Sequence, residues 1–92
     1  MSKIEKIVTI QNKKGLHARP AALFVQLVEK CNVNATVTKG SEKVNGKSIM
    51  GLLMLGAQCG STLTLAVEGE GAEAAMVEFE HFFSSQEENL SS

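Results

Sequence analysis

At 92 residues, 43% hydrophobic and 21% charged, the chain has material for one compact domain with a single modest core and no room for a second. A net charge of −1, no basic stripe and only 4% aromatic residues exclude a nonspecific nucleic-acid binder. Met1, Ser2, Lys3 and the residues after them mix charge with apolar side chains, so neither a signal peptide nor a membrane span is expected, and the expected compartment is the cytoplasm. The two cysteines, Cys31 and Cys59, lack C-x-x-C spacing and fall at the ends of predicted helices. Reduced thiols are expected there, with no disulfide, no metal site and no cofactor.

The β-branched run from Ile4 to Ile10, with Val8 and Ile10 alternating against Thr9 and Gln11, predicts a half-buried first strand. Asn12-Lys13-Lys14-Gly15 breaks it. From Ala18 to Lys30 the apolar residues Ala21, Phe24, Val25 and Val28 recur at helical spacing. Val33, Ala35 and Val37 alternate with polar neighbours, and Gly40-Ser41 supplies a turn into a short Glu42–Asn45 segment, which together read as a hairpin. Asn45-Gly46 is a second turn signal. Ser48 suits the N-cap of a short, nearly all-apolar helix through Leu55, and Gly56 is placed to end it. Thr62–Glu68 is the clearest strand, with Leu63, Leu65 and Val67 on one face. Ala72, Ala75, Met76, Phe79 and Phe83 then form the apolar stripe of a last helix that can cover that face, with Glu73, Glu78 and His81 on its other side.

The order βαββαβα predicts an α+β fold, an open-faced sandwich in which three helices lie on one face of a four-stranded, largely antiparallel sheet. The domain is expected to span residues 1–84. The polar run over 85–92 buries too little apolar surface to offset its ordering entropy and is expected to form a loose tail.

The residues that carry chemistry are concentrated in Gly15-Leu16-His17-Ala18-Arg19-Pro20-Ala21-Ala22. A glycine that lets the chain turn, an imidazole, and a proline in the first helical turn describe a loop entering a helix. His17 then sits at the helix mouth, where unpartnered N–H groups and the positive end of the macrodipole favour an anion. Arg19 adds a guanidinium whose planar fork suits phosphate oxygens. A phosphoryl group carried on a His17 ring nitrogen would meet all of these donors. A lone loop histidine can also serve merely as a helix cap. That alternative leaves the arginine and the glycine beside it without a reason.

The segment Gly15–Ala22 resembles the phosphohistidine motif of the HPr family, the histidine-containing phosphocarriers of the bacterial phosphotransferase system. Ser41-Glu42, Lys47-Ser48-Ile49-Met50, Leu52 and Leu55-Gly56 resemble the same family's regulatory-serine motif, at the expected distance downstream. The resemblance implies that His17 accepts phosphate from phosphorylated enzyme I at its pros nitrogen (Nδ1) and passes it to EIIA domains or proteins of sugar permeases. It implies that Ala18 and Arg19 bind the phosphoryl group. It also implies that Ser48 is the site of an HPr kinase/phosphorylase in organisms that have one; a phosphate there would place negative charge at a helix start beside the docking surface. Ser48 as a plain N-cap stays equally open, and the two roles are compatible. Lys14 stands where many members of the family carry a smaller polar residue.

The short helix from Ser48 is too apolar to bury on one side alone, so part of it should remain exposed for a partner. Ala22, Lys47, Ile49, Met50 and Leu53 are assigned to this docking patch, with Leu52 and Leu55 as core. The expected protein is a monomer that acts as a stoichiometric intermediate rather than a free-standing enzyme. Rival readings are a carrier of the nitrogen-related branch, a purely regulatory module that meets a transcription factor through phosphorylated Ser48, and a small-ligand-binding α+β domain.

Overall fold

The computed structural model describes residues 3–85. The elements run β1 (Lys3–Thr9), α1 (Ala18–Cys31), β2 (Asn34–Lys39), β3 (Glu42–Asn45), α2 (Ile49–Met54), β4 (Thr62–Glu68) and α3 (Ala72–Ser84). The strands form one sheet in the order β1-β4-β2-β3, and every neighbouring pair is antiparallel. This is the open-faced βαββαβα sandwich expected from the hydrophobic patterning. Of the tail expected over 85–92, Ser85 caps α3 and the rest lies outside the described residues.

Register sorts the side chains into two faces. Paired residues of neighbouring antiparallel strands point to the same side of the sheet, so Val8 with Leu63, Ile4 with Val67, and Ala35 with Val67 share the helix-covered face. Across the hairpin Val37 pairs with Val44 on that face as well. The opposite face carries Glu5, Thr9, Thr36, Thr62, Thr64 and the exposed Ile7. A Thr-rich face of this kind tolerates water, which is why the sheet can stay open on that side.

The helices close the other face around Phe24, which is 0% exposed. Its ring centroid lies 5.1 Å from Phe79, 5.6 Å from Phe82 and 5.0 Å from Phe83, the Phe79 contact being edge-on. These aromatic partners all come from α3, the helix that packs on β1 and β4. Edge-on and tilted packing aligns ring edges with ring faces and adds to the burial of large apolar area.

Boundaries differ from expectation by a residue or so. α1 runs to Cys31 because Asn32 takes the left-handed conformation (φ 58°, ψ 47°) and its N–H reaches back to the carbonyls of Val28 and Glu29. Asparagine tolerates this conformation better than most residues, so a helix can stop here without glycine. α2 stops at Met54, with Leu55 as its C-cap and Gly56 following. The expectation that both cysteines sit at helix ends holds for Cys31 only. Cys59 lies in the exposed turn between α2 and β4, where its Sγ approaches the Gln11 carbonyl at 3.8 Å.

Candidate functional site

The chain leaves β1 still tied to the sheet: Ile10 donates its N–H to the Ser61 carbonyl at 2.8 Å and accepts from Gly60 N–H at 2.9 Å. It then folds into a turn in which Gly15 donates to the Asn12 carbonyl at 2.9 Å and Lys14 donates to Asn12 Oδ1 at 2.9 Å. The Asn12 side chain thereby supports the turn from within. Gly15 has φ 73°, and a Cβ there would stand 2.5 Å from the Ala57 carbonyl oxygen and 2.9 Å from Gln58 Cα. Only glycine fits this close approach. The next residue, buried Leu16, donates to the same Ala57 carbonyl at 2.9 Å, which fastens the loop to the segment that follows α2.

His17 is the N-cap of α1, with extended backbone (φ −104°, ψ −167°), and its carbonyl accepts the first helical bond from Ala21 N–H at 2.9 Å. Its side chain makes no capping hydrogen bond. The N–H groups of Ala18 and Arg19 have no helical carbonyl to reach, and Pro20 has no N–H to leave over. The helix mouth is therefore open, with two amide donors where a serine or aspartate cap would ordinarily occupy one.

The imidazole itself is half-buried. Nε2 is shut away from solvent without a hydrogen-bond partner. Close to His17 in the chain, Arg19, Lys13 and Lys14 are all exposed. Residues 6–28 and 43–67 contain no Asp or Glu at all; every carboxylate side chain lies elsewhere in the chain. His17, Arg19, Lys13, Lys14 and Lys47 thus stand in segments free of carboxylates although the protein as a whole carries −1, a pattern that whole-chain composition conceals.

α2 packs against α1. Ser48 is its N-cap, with Oγ accepting from Gly51 N–H at 2.9 Å. Lys47 is exposed, and its N–H donates to Asn45 Oδ1 at 2.8 Å. Of the residues assigned to the docking patch, Ile49 and Met50 are exposed, while Ala22 and Leu53 are half-buried. Leu52 and Leu55 are core, as expected. On α1 and α2 the sequence reading missed two further exposed apolar residues, Leu23 and Met54. Met54 follows Met50 by four positions, so helical periodicity placed both on one stripe.

Among the described residues no helix is long and apolar enough to cross a membrane, and no three His, Cys or acidic side chains gather as a metal cluster.

Residues 4–85 match the family model described as the PTS HPr component phosphorylation site. The chain is 40% identical over 83 residues to the phosphocarrier protein HPr of Treponema pallidum, covering 90% of this chain and 94% of that protein. It is 48% identical over 73 residues to the HPr-like protein Crh of Halalkalibacterium halodurans (79% and 87% covered). It is 42% identical over 76 residues to the phosphocarrier protein NPr of Shewanella violacea (83% and 84% covered). The crystal structure of the phosphocarrier protein HPr from Bacillus anthracis superposes with a TM-score of 0.85 at 37% identity, covering 90% of this chain and 99% of that one. Since the family model spans nearly every described residue and the overall fold agrees, the assignment is direct: this chain belongs to the HPr family of phosphocarrier proteins of the phosphotransferase system.

Proposed function

We propose that His17 is the residue that carries the phosphoryl group, taking it from phosphorylated enzyme I and giving it to EIIA domains or proteins of sugar permeases. The observation that carries this reading is the pairing of an uncapped α1 with an imidazole whose Nε2 is enclosed and unpartnered. The Nδ1 lone pair attacks phosphorus as the bond to the donor breaks, and the same bond-making runs in reverse on the acceptor. Phosphoryl transfer depends on position and charge stabilisation, so the protein's share is to hold donors where charge gathers. The N–H groups of Ala18 and Arg19 and the Arg19 guanidinium supply them.

The docking face comprises Ala22, Lys47, Ile49, Met50 and Leu53, extended by Leu23 and Met54. Ser48 stands at its edge. Its phosphorylation by an HPr kinase/phosphorylase would keep a favourable anion at the start of α2 while setting negative charge on the face that partners must cover. The carrier works as a cytoplasmic monomer and is regenerated each cycle.

Labelled phosphoenolpyruvate with enzyme I tests the main reading. An acid-labile label that disappears in His17→Ala is expected, and absence of label on the native protein would falsify it. Incubation with the kinase and ATP should give an acid-stable label that Ser48→Ala abolishes. Relatives named NPr and Crh keep a regulatory reading in view. The histidine favours transfer over a purely regulatory module. Faster transfer to a nitrogen-branch EIIA than to a sugar EIIA would move the assignment to that branch.

A further inference from the structure

The chain has four methionines, and those on α2 and α3 meet solvent very differently. Met76 is 2% exposed inside the core, whereas Met50 is 67% and Met54 77% exposed. The latter two lie four positions apart on α2 and so share one stripe of its surface. Met54 ends that helix, three residues before Ala57, whose carbonyl holds Leu16 and with it the His17 loop. An exposed thioether is a soft two-electron donor, and its sulfoxide replaces a flexible apolar tip with a polar, chiral one.

We infer that Met50 and Met54 form an oxidation-sensitive pair through which hydroperoxides weaken the docking face. The inference rests on the carrier reading above. In the reaction each sulfur gives an electron pair to one peroxide oxygen as the O–O bond breaks. That oxygen stays on sulfur as sulfoxide, and the other leaves as water or, from an organic hydroperoxide, as the alcohol. Each sulfoxide sets an S=O dipole on a surface that partners cover with apolar groups, so docking loses affinity while His17 keeps its chemistry. Core Met76 is shielded, so the fold survives the modification.

The test uses the full chain treated with graded hydrogen peroxide, then with a thiol reductant that reverses cysteine oxidation but leaves sulfoxides. Peptide mapping should place the added oxygens on Met50 and Met54 and leave Met76 unmodified. The initial rate of His17 labelling by enzyme I, divided by the same protein's rate before peroxide, should fall roughly tenfold, the loss expected when one buried thioether contact is forfeited. Methionine sulfoxide reductase should restore it. In Met50→Leu/Met54→Leu the ratio should stay near unity whatever that variant's own starting rate. An unchanged ratio in the oxidised native protein, or a fall that persists in the double variant, overturns the inference. Native protein that takes no label even before peroxide overturns the carrier reading, and this inference falls with it.

Discussion

Replacing Gly15 with alanine separates two costs that the structure lets one estimate independently. The first is backbone conformation: at φ 73° an L side chain is disfavoured by about 1–2 kcal/mol, partly offset by about 0.4–1 kcal/mol from a stiffer unfolded chain. The second is contact. The new methyl would stand 2.5 Å from the Ala57 oxygen and 2.9 Å from Gln58 Cα, both backbone atoms that no rotamer change can move aside. The 57–58 segment must retreat, which strains the loop by about 1–3 kcal/mol and stretches the 2.9 Å bond from Leu16 N–H to Ala57 O, worth about 1 kcal/mol. Gly40→Ala is the matched control, since Gly40 has φ 61° but nothing within 4 Å of the point its new Cβ would occupy. Urea unfolding of both variants should therefore place Gly15→Ala below Gly40→Ala by about 2 kcal/mol, or about 10 °C in Tm for a domain of this size. Because the displaced loop carries His17, labelling by enzyme I should fall by about 100-fold in Gly15→Ala and little in Gly40→Ala. If the two variants unfold within about 0.5 kcal/mol of each other, the close approach of Gly15 to Ala57 contributes nothing and the account of how the loop is held is wrong.

Ser48→Ala should cost about 1 kcal/mol through loss of the 2.9 Å cap to Gly51 N–H, whereas Ser48→Asp keeps an acceptor there and should hold stability while slowing transfer; urea melts and labelling rates read the two effects separately. Phe24→Ala empties the space between Phe79, Phe82 and Phe83 and should destabilise by about 3–5 kcal/mol in the same melts. The Cys31 thiol is pushed above the ordinary thiol range, first by burial and then by Glu78, with Lys30 opposing. The folded state thus holds that proton more tightly than the unfolded chain, so the contribution is intact below the ordinary thiol value and is lost as pH rises through the raised one. Cys31→Ala should flatten the alkaline fall in stability, and iodoacetamide near neutral pH should modify exposed Cys59 before Cys31.

Hydrophobic period carried most of the fold into view from the sequence. The alternation at Leu63, Leu65 and Val67 and the stripe from Ala72 to Phe83 each admit one covered face, and antiparallel pairing with β1 and β2 follows from where the loops allow the chain to return. The end of α1 was less legible because its stop depends on Asn32 adopting a left-handed conformation, which composition alone does not demand. The place of Cys59 did not need the structure: Gly56, three residues earlier, already ends the apolar run of α2, so the same patterning puts Cys59 in the turn that follows. At the site, residue type and spacing indicated His17 and Arg19 as a phosphate cradle and Ser48 as a helix cap, and only the family resemblance added a regulatory role for Ser48. What spacing could not convey is that Nε2 is enclosed, or that the 57–58 backbone presses on Gly15, since both depend on how segments distant in the chain come together.

The two helix starts on this face show how one fold can treat the same physical problem in opposite ways. α2 begins in the ordinary manner, with Ser48 Oγ satisfying an N–H that the helix leaves over. α1 begins with a residue whose side chain satisfies none, followed by two amides without helical partners and a proline that has none to offer. An uncapped start forgoes about 1 kcal/mol relative to a serine or aspartate. α1 can sustain that loss because its stability comes from elsewhere: Ala21, Phe24, Val25 and Val28 are buried, and the loop before it is anchored to Ala57 and stiffened by the Asn12 turn. A mouth that were also loose would lose orientation, and one that were capped would have fewer donors to offer. Rigid attachment combined with unsatisfied donors is the condition under which a small domain can receive a dianion without rearranging, because the ligand then completes hydrogen bonds that folding left unmade.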